Sequence, residues 1–407
     1  MNDISVREQR ILISLLPALS WEGRAANVEG DLSGGLDWGA LLSLAHRNRI
    51  FLQVYERLQS VLSRQDNDSY LKSYRPAYLQ MLSAQLARRS EYKKAMKALA
   101  RAGVSFLPFK GVLLDSVVYP PGVMRDYSDM DLLIPNRKEL ARARDLLERL
   151  GYRKLVSGSD AYHVKMVKEG RNRLELSVEL HSRLPGVSHL FGYPAIDGLW
   201  ESASRVEAGG IRFGMVPPES MVLVTAMNAF RDGEVKLRDL CDIDAISARF
   251  PNLDWGAISR RLSSPSWWGV IALPVSLYRW LLESLGRGVP SALREIPMRI
   301  PDEMKVSFPV RFSSVCGVSR CPGGWCRGCP IYMQRRLPPF PELLTINDAF
   351  RSFPERVKLN VEFISTAVVR EAGTPAALKC YRELSRYLMN VTFYLLRSAP
   401  QREHVRL

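Results

Sequence analysis

Cysteine is scarce in this chain, with six in 407 residues. That scarcity excludes a secreted scaffold held together by disulfides. Long apolar runs are missing too. Trp267–Leu282 is the longest apolar stretch after the N-terminus, but Pro274 and Arg279 interrupt it. A bilayer-spanning helix needs about 20 mostly uncharged residues, so this stretch reads as a core helix. Ile11–Ser20 follows Arg7 and Arg10 in the order of a leader peptide, yet it spans ten residues, contains Pro17 and runs into Trp-Glu-Gly-Arg. Without a small-residue cleavage site it reads as a buried first helix. The expected protein is cytoplasmic and has no membrane partner. No internal repeat is visible, and 46% apolar with 24% charged residues excludes disordered, collagenous and low-complexity classes.

Charge is present in excess of one sign. Lys plus Arg number 57 against 42 Asp plus Glu, a surplus of +15, with a sequence pI near 9.7. Such a surplus favours an anionic partner without choosing among nucleotide, nucleic acid and membrane surface. The surplus is uneven. Residues 1–109 carry 15 basic and 10 acidic residues and residues 300–407 carry 16 and 9, which leaves 110–299 at only +3.

The chain reads as an α+β protein in five parts: an N-terminal helical region at 1–102, an α/β core at 103–215, a helical region at 216–299, a Cys-, Pro- and Gly-rich module at 300–345 and C-terminal helices at 346–407. Leu41–Leu58 and Tyr70–Ala102 have apolar residues at helical spacing. Val104–Phe109 and Met130–Ile134 read as strands, Gly111–Tyr119 as a helix stopped by Pro120-Pro121-Gly122, and Lys138–Leu150 as an amphipathic helix ended by Gly151. Tyr162–Lys168 and Arg173–His181 alternate around Glu169-Gly170-Arg171-Asn172, a hairpin signal. Helices are expected again at Glu219–Phe230, Lys236–Arg249, Trp267–Leu285, Pro354–Arg370 and Pro375–Arg397.

The chemistry concentrates in the α/β core. Asp129 and Asp131 are two apart on a strand and so share a face. Adjacent carboxylates repel unless a cation lies between them, and Mg²⁺ (or Mn²⁺) suits hard oxygen ligands shared with phosphates. On Arg173–His181 the residues Glu175, Ser177, Glu179 and His181 line one face, and Glu179 is the expected third carboxylate with Glu175 in reserve. Val104–Phe109, Lys110-Gly111 and the following helix form a strand–turn–helix, where glycine lets backbone approach a triphosphate and Lys110 adds a point charge. This is the constellation of metal-assisted nucleotidyl transfer.

The run Phe106–Gly111, Tyr119-Pro120, Arg125, Asp129-x-Asp131-Leu-Leu-Ile, Gly151-Tyr152 and Val178-Glu179-Leu180-His181 resembles the uncharacterised nucleotidyltransferase-like family of the DNA polymerase β superfamily. Leu44-Ala45-His46-Arg47-Asn48-Arg49-Ile50, Pro217-Pro218-Glu219-Ser220 and Leu237-Arg238-Asp239-Leu240-Cys241-Asp242 extend the resemblance over roughly residues 10–295. It implies a minimal nucleotidyltransferase sheet, an NTP substrate, Asp129, Asp131 and Glu179 as metal ligands in a two-metal mechanism, and Lys110, Gly111 and Arg125 on the triphosphate. Two positions depart from the pattern. Val112 follows Gly111 where the superfamily at large has Gly-Ser, and Asn228 stands at an expected histidine and is given no role. A nucleotide- or RNA-binding protein that has lost catalysis is the alternative reading.

Four further features stand beside the core. Arg238 and Asp242, four apart, would pair on a helix or reach the nucleotide. His181 would serve as a structural histidine or support a metal or phosphate. Residues 71–110 hold nine basic residues and one acidic, with Arg89, Lys93, Lys97 and Arg101 striping one helix face as a track for RNA or another polyanion. Cys316, Cys321, Cys326 and Cys329 form C-x4-C-x4-C-x2-C among glycines and prolines, a pattern suited to structural Zn²⁺ ahead of an iron–sulfur cluster. Cys241 and Cys380 sit in expected helices and read as inert.

Overall fold

The computed structural model describes residues 37–62, 68–155, 163–182, 198–231, 235–262, 265–284 and 286–296. The expected first helix at 11–20, the cysteine module at 316–329, Cys380 and the helices at 354–370 and 375–397 lie outside the described residues. Among the described residues no helix is long and apolar enough to cross a membrane.

The described residues begin with α1 (Trp38–Arg47), α2 (Phe51–Leu62) and α3 (Asp68–Arg101). The spacing over Leu41–Leu58 predicted continuous helix, but the structure divides it. Asn48 is 1% exposed; its amide nitrogen donates to Leu44 O, and its Oδ1 accepts the Leu237 amide at 3.1 Å. Arg49 then takes a positive φ of 55°. A tertiary contact 189 residues away therefore outweighs local periodicity.

The sheet follows: β1 (Leu107–Phe109), β2 (Asp129–Leu133), β3 (Arg153–Lys154), β4 (His163–Glu169) and β5 (Glu175–His181). Their spatial order is β1-β2-β5-β4-β3, with β2 and β5 parallel and the other neighbours antiparallel. The predicted hairpin is present, turned at Arg171–Arg173 with Asn172 and Arg173 at positive φ. Between β1 and β2 lies α4 (Gly111–Leu113), a single turn that widens into a π-helical turn at Leu114–Val118. Between β2 and β3 lies α5 (Arg137–Arg149), capped by the Asn136 side chain on the Glu139 amide. A second hairpin, β6 (Ser204–Ala208) and β7 (Ile211–Met215), packs β7 against β1 and α3.

Among the described residues the helices that follow are α6 (Pro218–Arg231), α7 (Leu237–Arg249), α8 (Trp255–Leu262), α9 (Pro265–Ser284) and α10 (Ser291–Arg294). The result is the expected α+β architecture. One face of the central strands is wholly apolar: Met130, Leu132, Val178 and Leu180 are fully buried, and Ala143 and Leu147 of α5 join the same core. Strand alternation then forces the neighbours of these residues onto the opposite face. That face holds the candidate site.

Candidate active site

Register assembles the polar face. Asp129 stands opposite Ser177, Asp131 opposite both Phe109 and Glu179, Leu133 opposite His181, and Glu179 and His181 opposite Lys165 and His163 of β4. Three carboxylates expected together from the sequence therefore do share one face of two parallel strands. Tyr92 of α3 fixes this edge, because its hydroxyl donates to Ser128 O at 2.8 Å and accepts the Ser177 amide at 3.2 Å.

The charges do not balance. Lys110 Nζ donates to Asp131 Oδ1 at 2.8 Å, and His181 Nε2 lies 3.0 Å from the same oxygen. Lys165 Nζ lies 3.3 Å from Glu179 Oε1, while His163 and His181 Nε2 lie 3.2 and 3.6 Å from Glu179 Oε2. Two lysines thus face three carboxylates. Burial alone would raise Asp131, but Lys110 and His181 overcome it and hold that carboxyl far below the usual range. Burial likewise pushes Glu179 up, and the adjacent His163, His181 and Lys110 bring it down to about 2. Asp129 moves the other way: burial and the neighbouring Asp131 charge push it up by more than Lys110 and Lys165 offset. Burial lowers His181, partly offset by Asp131.

Two buried polar atoms on this face lack a hydrogen-bond partner: Ser177 Oγ beside Asp129, and His163 Nε2, which lies off the hydrogen-bond line to Glu179. Uncompensated negative charge, a hard-oxygen donor set and orphaned polar atoms in one place fit a divalent cation. Asp129 and Asp131 fit it best. Glu175 is exposed at the start of β5, opposite Glu169, away from the group.

The Lys110-Gly111 turn adjoins this face. Lys110 has φ 55° and ψ −132°, a conformation that disfavours any side chain. A Cβ on Gly111 would stand 2.6 Å from Tyr127 Cβ and 2.7 Å from Arg125 Nη1, so glycine is required by close approach. Arg125, expected on the phosphates, is turned into the interior. Its Nε and Nη2 donate to Asp242 at 2.7 and 2.6 Å, and Tyr119 Oη donates to the same carboxylate at 2.8 Å. Only Nη1 lies under the turn. Arg238 does not pair with Asp242; it bonds Asp239 at 3.0 Å. The i,i+4 expectation fails because Asp242 is pulled to Arg125.

The basic stripe also begins later than its spacing suggested. Arg89 folds inward to Asp115 of the π turn, which Tyr127 also reaches, leaving Lys93, Lys97 and Arg101 exposed. Cys241 is buried, and burial raises its thiol well above the ordinary value. Sequence reasoning missed His163 and Lys165. Their signal was the β4–β5 pairing itself, since any even-offset residue across from Glu179 and His181 must share their face.

A mixed sheet with two parallel central strands, a carboxylate face and a strained basic turn after its first strand defines a nucleotidyltransferase-type α+β protein. The family model described as uncharacterised nucleotidyltransferase matches residues 34–282, well over half of the chain. The chain belongs to that family. No curated protein and no solved structure matches it.

Proposed function

We propose that the protein transfers a nucleoside monophosphate from an NTP to a hydroxyl acceptor. The observation that carries this reading is the convergence of Asp129, Asp131 and Glu179 on one face beside the Lys110 turn. The acceptor hydroxyl gives its proton to a carboxylate of this face, its oxygen bonds the α-phosphorus, and the bond to pyrophosphate breaks with the electron pair leaving on pyrophosphate. Asp129 and Asp131, with Glu179, would hold Mg²⁺, which when bound polarises the α-phosphate and offsets charge on the leaving group. Lys110, whose Nζ lies 2.8 Å from Asp131 Oδ1, would be the cation at hand for a phosphate oxygen. Gly111 keeps the turn low enough for backbone to approach the phosphates. Arg125 acts as a positioning residue, holding the turn from beneath through Asp242. An open cleft of about 780 Å³ lined by His46, Arg47, Phe51, Tyr74 and Arg88 offers basic and aromatic contacts to an RNA or other polyanionic acceptor.

The test is incubation of the full chain with each labelled NTP, Mg²⁺ and total cell RNA or lysate, following label transfer and pyrophosphate release. Asp129→Asn should lower transfer by at least about 10²–10³-fold, the scale for loss of one transition-state charge stabiliser. Absence of transfer and of pyrophosphate with every NTP ends the catalytic reading. A second reading, nucleotide binding without chemistry, is favoured by the double occupancy of Asp131 Oδ1 and by Val112 after Gly111. It predicts NTP binding with no pyrophosphate released.

A further inference from the structure

His163, Glu179 and His181 form a compact group outside the carboxylate pair. Their ligand atoms all lie within 4.8 Å of one another. The two imidazole centroids lie 4.7 Å apart with the rings 13° from parallel, and Nε2 of His163 and of His181 stand 3.2 and 3.6 Å from Glu179 Oε2. We propose that this group is a second cation site, selective for a borderline transition metal of the Zn²⁺ class and distinct in chemistry from the oxygen-lined pair at Asp129 and Asp131.

Geometry supports the assignment. Two ligands bound at 2.0–2.1 Å to a tetrahedral ion stand about 3.3 Å apart. The Nε2 atoms of His163 and His181 lie 3.2 and 3.6 Å from Glu179 Oε2, so the ligand spacing is already close, and closing the site asks the two near-parallel rings to turn until both planes contain the ion. The present arrangement also leaves a polar atom without a role. His163 Nε2 is buried and has no hydrogen-bond partner, although a carboxylate oxygen lies beside it. A shared ion would give that nitrogen the partner that the carboxylate oxygen, off the hydrogen-bond line, does not.

The donor set chooses the metal. Two imidazole nitrogens and one carboxylate oxygen suit Zn²⁺ or Co²⁺, whereas Mg²⁺ keeps to oxygen and water. Three protein ligands leave a fourth position open. Binding also reaches the neighbouring pair. His181 Nε2 gives up Asp131 Oδ1 when it ligates, leaving Asp131 with Lys110 alone. The inference does not require nucleotidyl transfer, since it concerns which ion the histidines hold.

Co²⁺ titration of the full chain, read by ligand-field absorption, tests it with a signal independent of activity. The titration should give tetrahedral visible bands of a nitrogen–oxygen site, separable from any intense near-ultraviolet thiolate transition that Cys316, Cys321, Cys326 and Cys329 add. His163→Gln should weaken these bands' Co²⁺ affinity at least about 100-fold, while Asp129→Asn leaves it within a few-fold. Because a lost ligand and a lost fold look alike, Lys165→Gln supplies a gain: with Lys165 removed from Glu179 Oε1, Co²⁺ should bind more tightly. Bands that persist in His163→Gln, bands that vanish in Asp129→Asn, thiolate bands alone, or weaker binding in Lys165→Gln would each overturn the assignment. None of these outcomes bears on whether pyrophosphate is released.

Discussion

Asp131, on the polar face of the sheet, and Asp242, in the seam between α7 and the α4 turn, are almost equally buried, at 2% and 1%. Their partners hold them differently. Asp242 is gripped by two guanidinium N–H groups of Arg125 and by the Tyr119 hydroxyl, so its charge is matched and its geometry fixed. Asp131 is met on one oxygen by a lysine and a histidine, with two more carboxylates nearby. A planar bidentate pair is a structural joint. A flexible ammonium beside surplus negative charge is an exchangeable counter-ion. The contrast separates the part of the molecule that must not move from the part that must accept something.

The sharpest way to break this comparison is to remove one cation from the joint. Arg125→Ala leaves Asp242 as an uncompensated buried charge, which costs about 3–5 kcal/mol in typical buried pairs. Denaturant unfolding of the full chain should show that loss. Asp129→Asn should behave oppositely, leaving stability unchanged or slightly higher, because it relieves repulsion with Asp131. If the two variants unfold alike, the division into joint and counter-ion is wrong.

How much of this was readable beforehand follows the same division. The Asp129–Asp131 spacing, the polar alternation of Glu175–His181 and the Lys110-Gly111 turn are local patterns, and the strands kept them. What the sequence could not show depends on distant partners. Arg125 turns inward because Asp242 lies 117 positions away. The break at Asn48 answers to Leu237, and Arg89 is claimed by Asp115. His163 stayed hidden because its role exists only through pairing with His181 across the hairpin. Periodicity reports which face a residue shares; it carries no information about which long-range charge will claim it.

A smaller effect sharpens the boundary between the two regions, which meet at Gly111. Its missing side chain leaves room for Tyr127, 2.6 Å from where a Cβ would stand, and for Arg125 Nη1 at 2.7 Å. Gly111→Ala must displace one or both, an overpacking cost of about 1–3 kcal/mol. Because Arg125 cannot leave Asp242, the turn should yield first. Nucleotide affinity should then fall by more than the stability change alone explains, measured by NTP titration at a temperature well below unfolding.

The smallest expected effect isolates the backbone of Lys110 from its charge. At φ 55° and ψ −132° the residue sits where glycine is at ease and a side chain is not. Lys110→Ala and Lys110→Gly both delete the ammonium that faces Asp131, so the loss of that pair cancels between them. What remains is the cost of a Cβ in a disfavoured conformation, set against the greater freedom glycine gains when unfolded. Strain of this kind amounts to about 1–3 kcal/mol and the entropy of glycine returns about 0.5–1 kcal/mol. Lys110→Gly should therefore be the more stable of the two by about 1 kcal/mol, read from paired denaturation curves. If Lys110→Ala is the more stable, the turn carries no strain, and lysine stands there at no backbone cost. If the glycine variant wins, the fold tolerates a strained residue to keep an ammonium between Asp131 and the place where phosphate would lie.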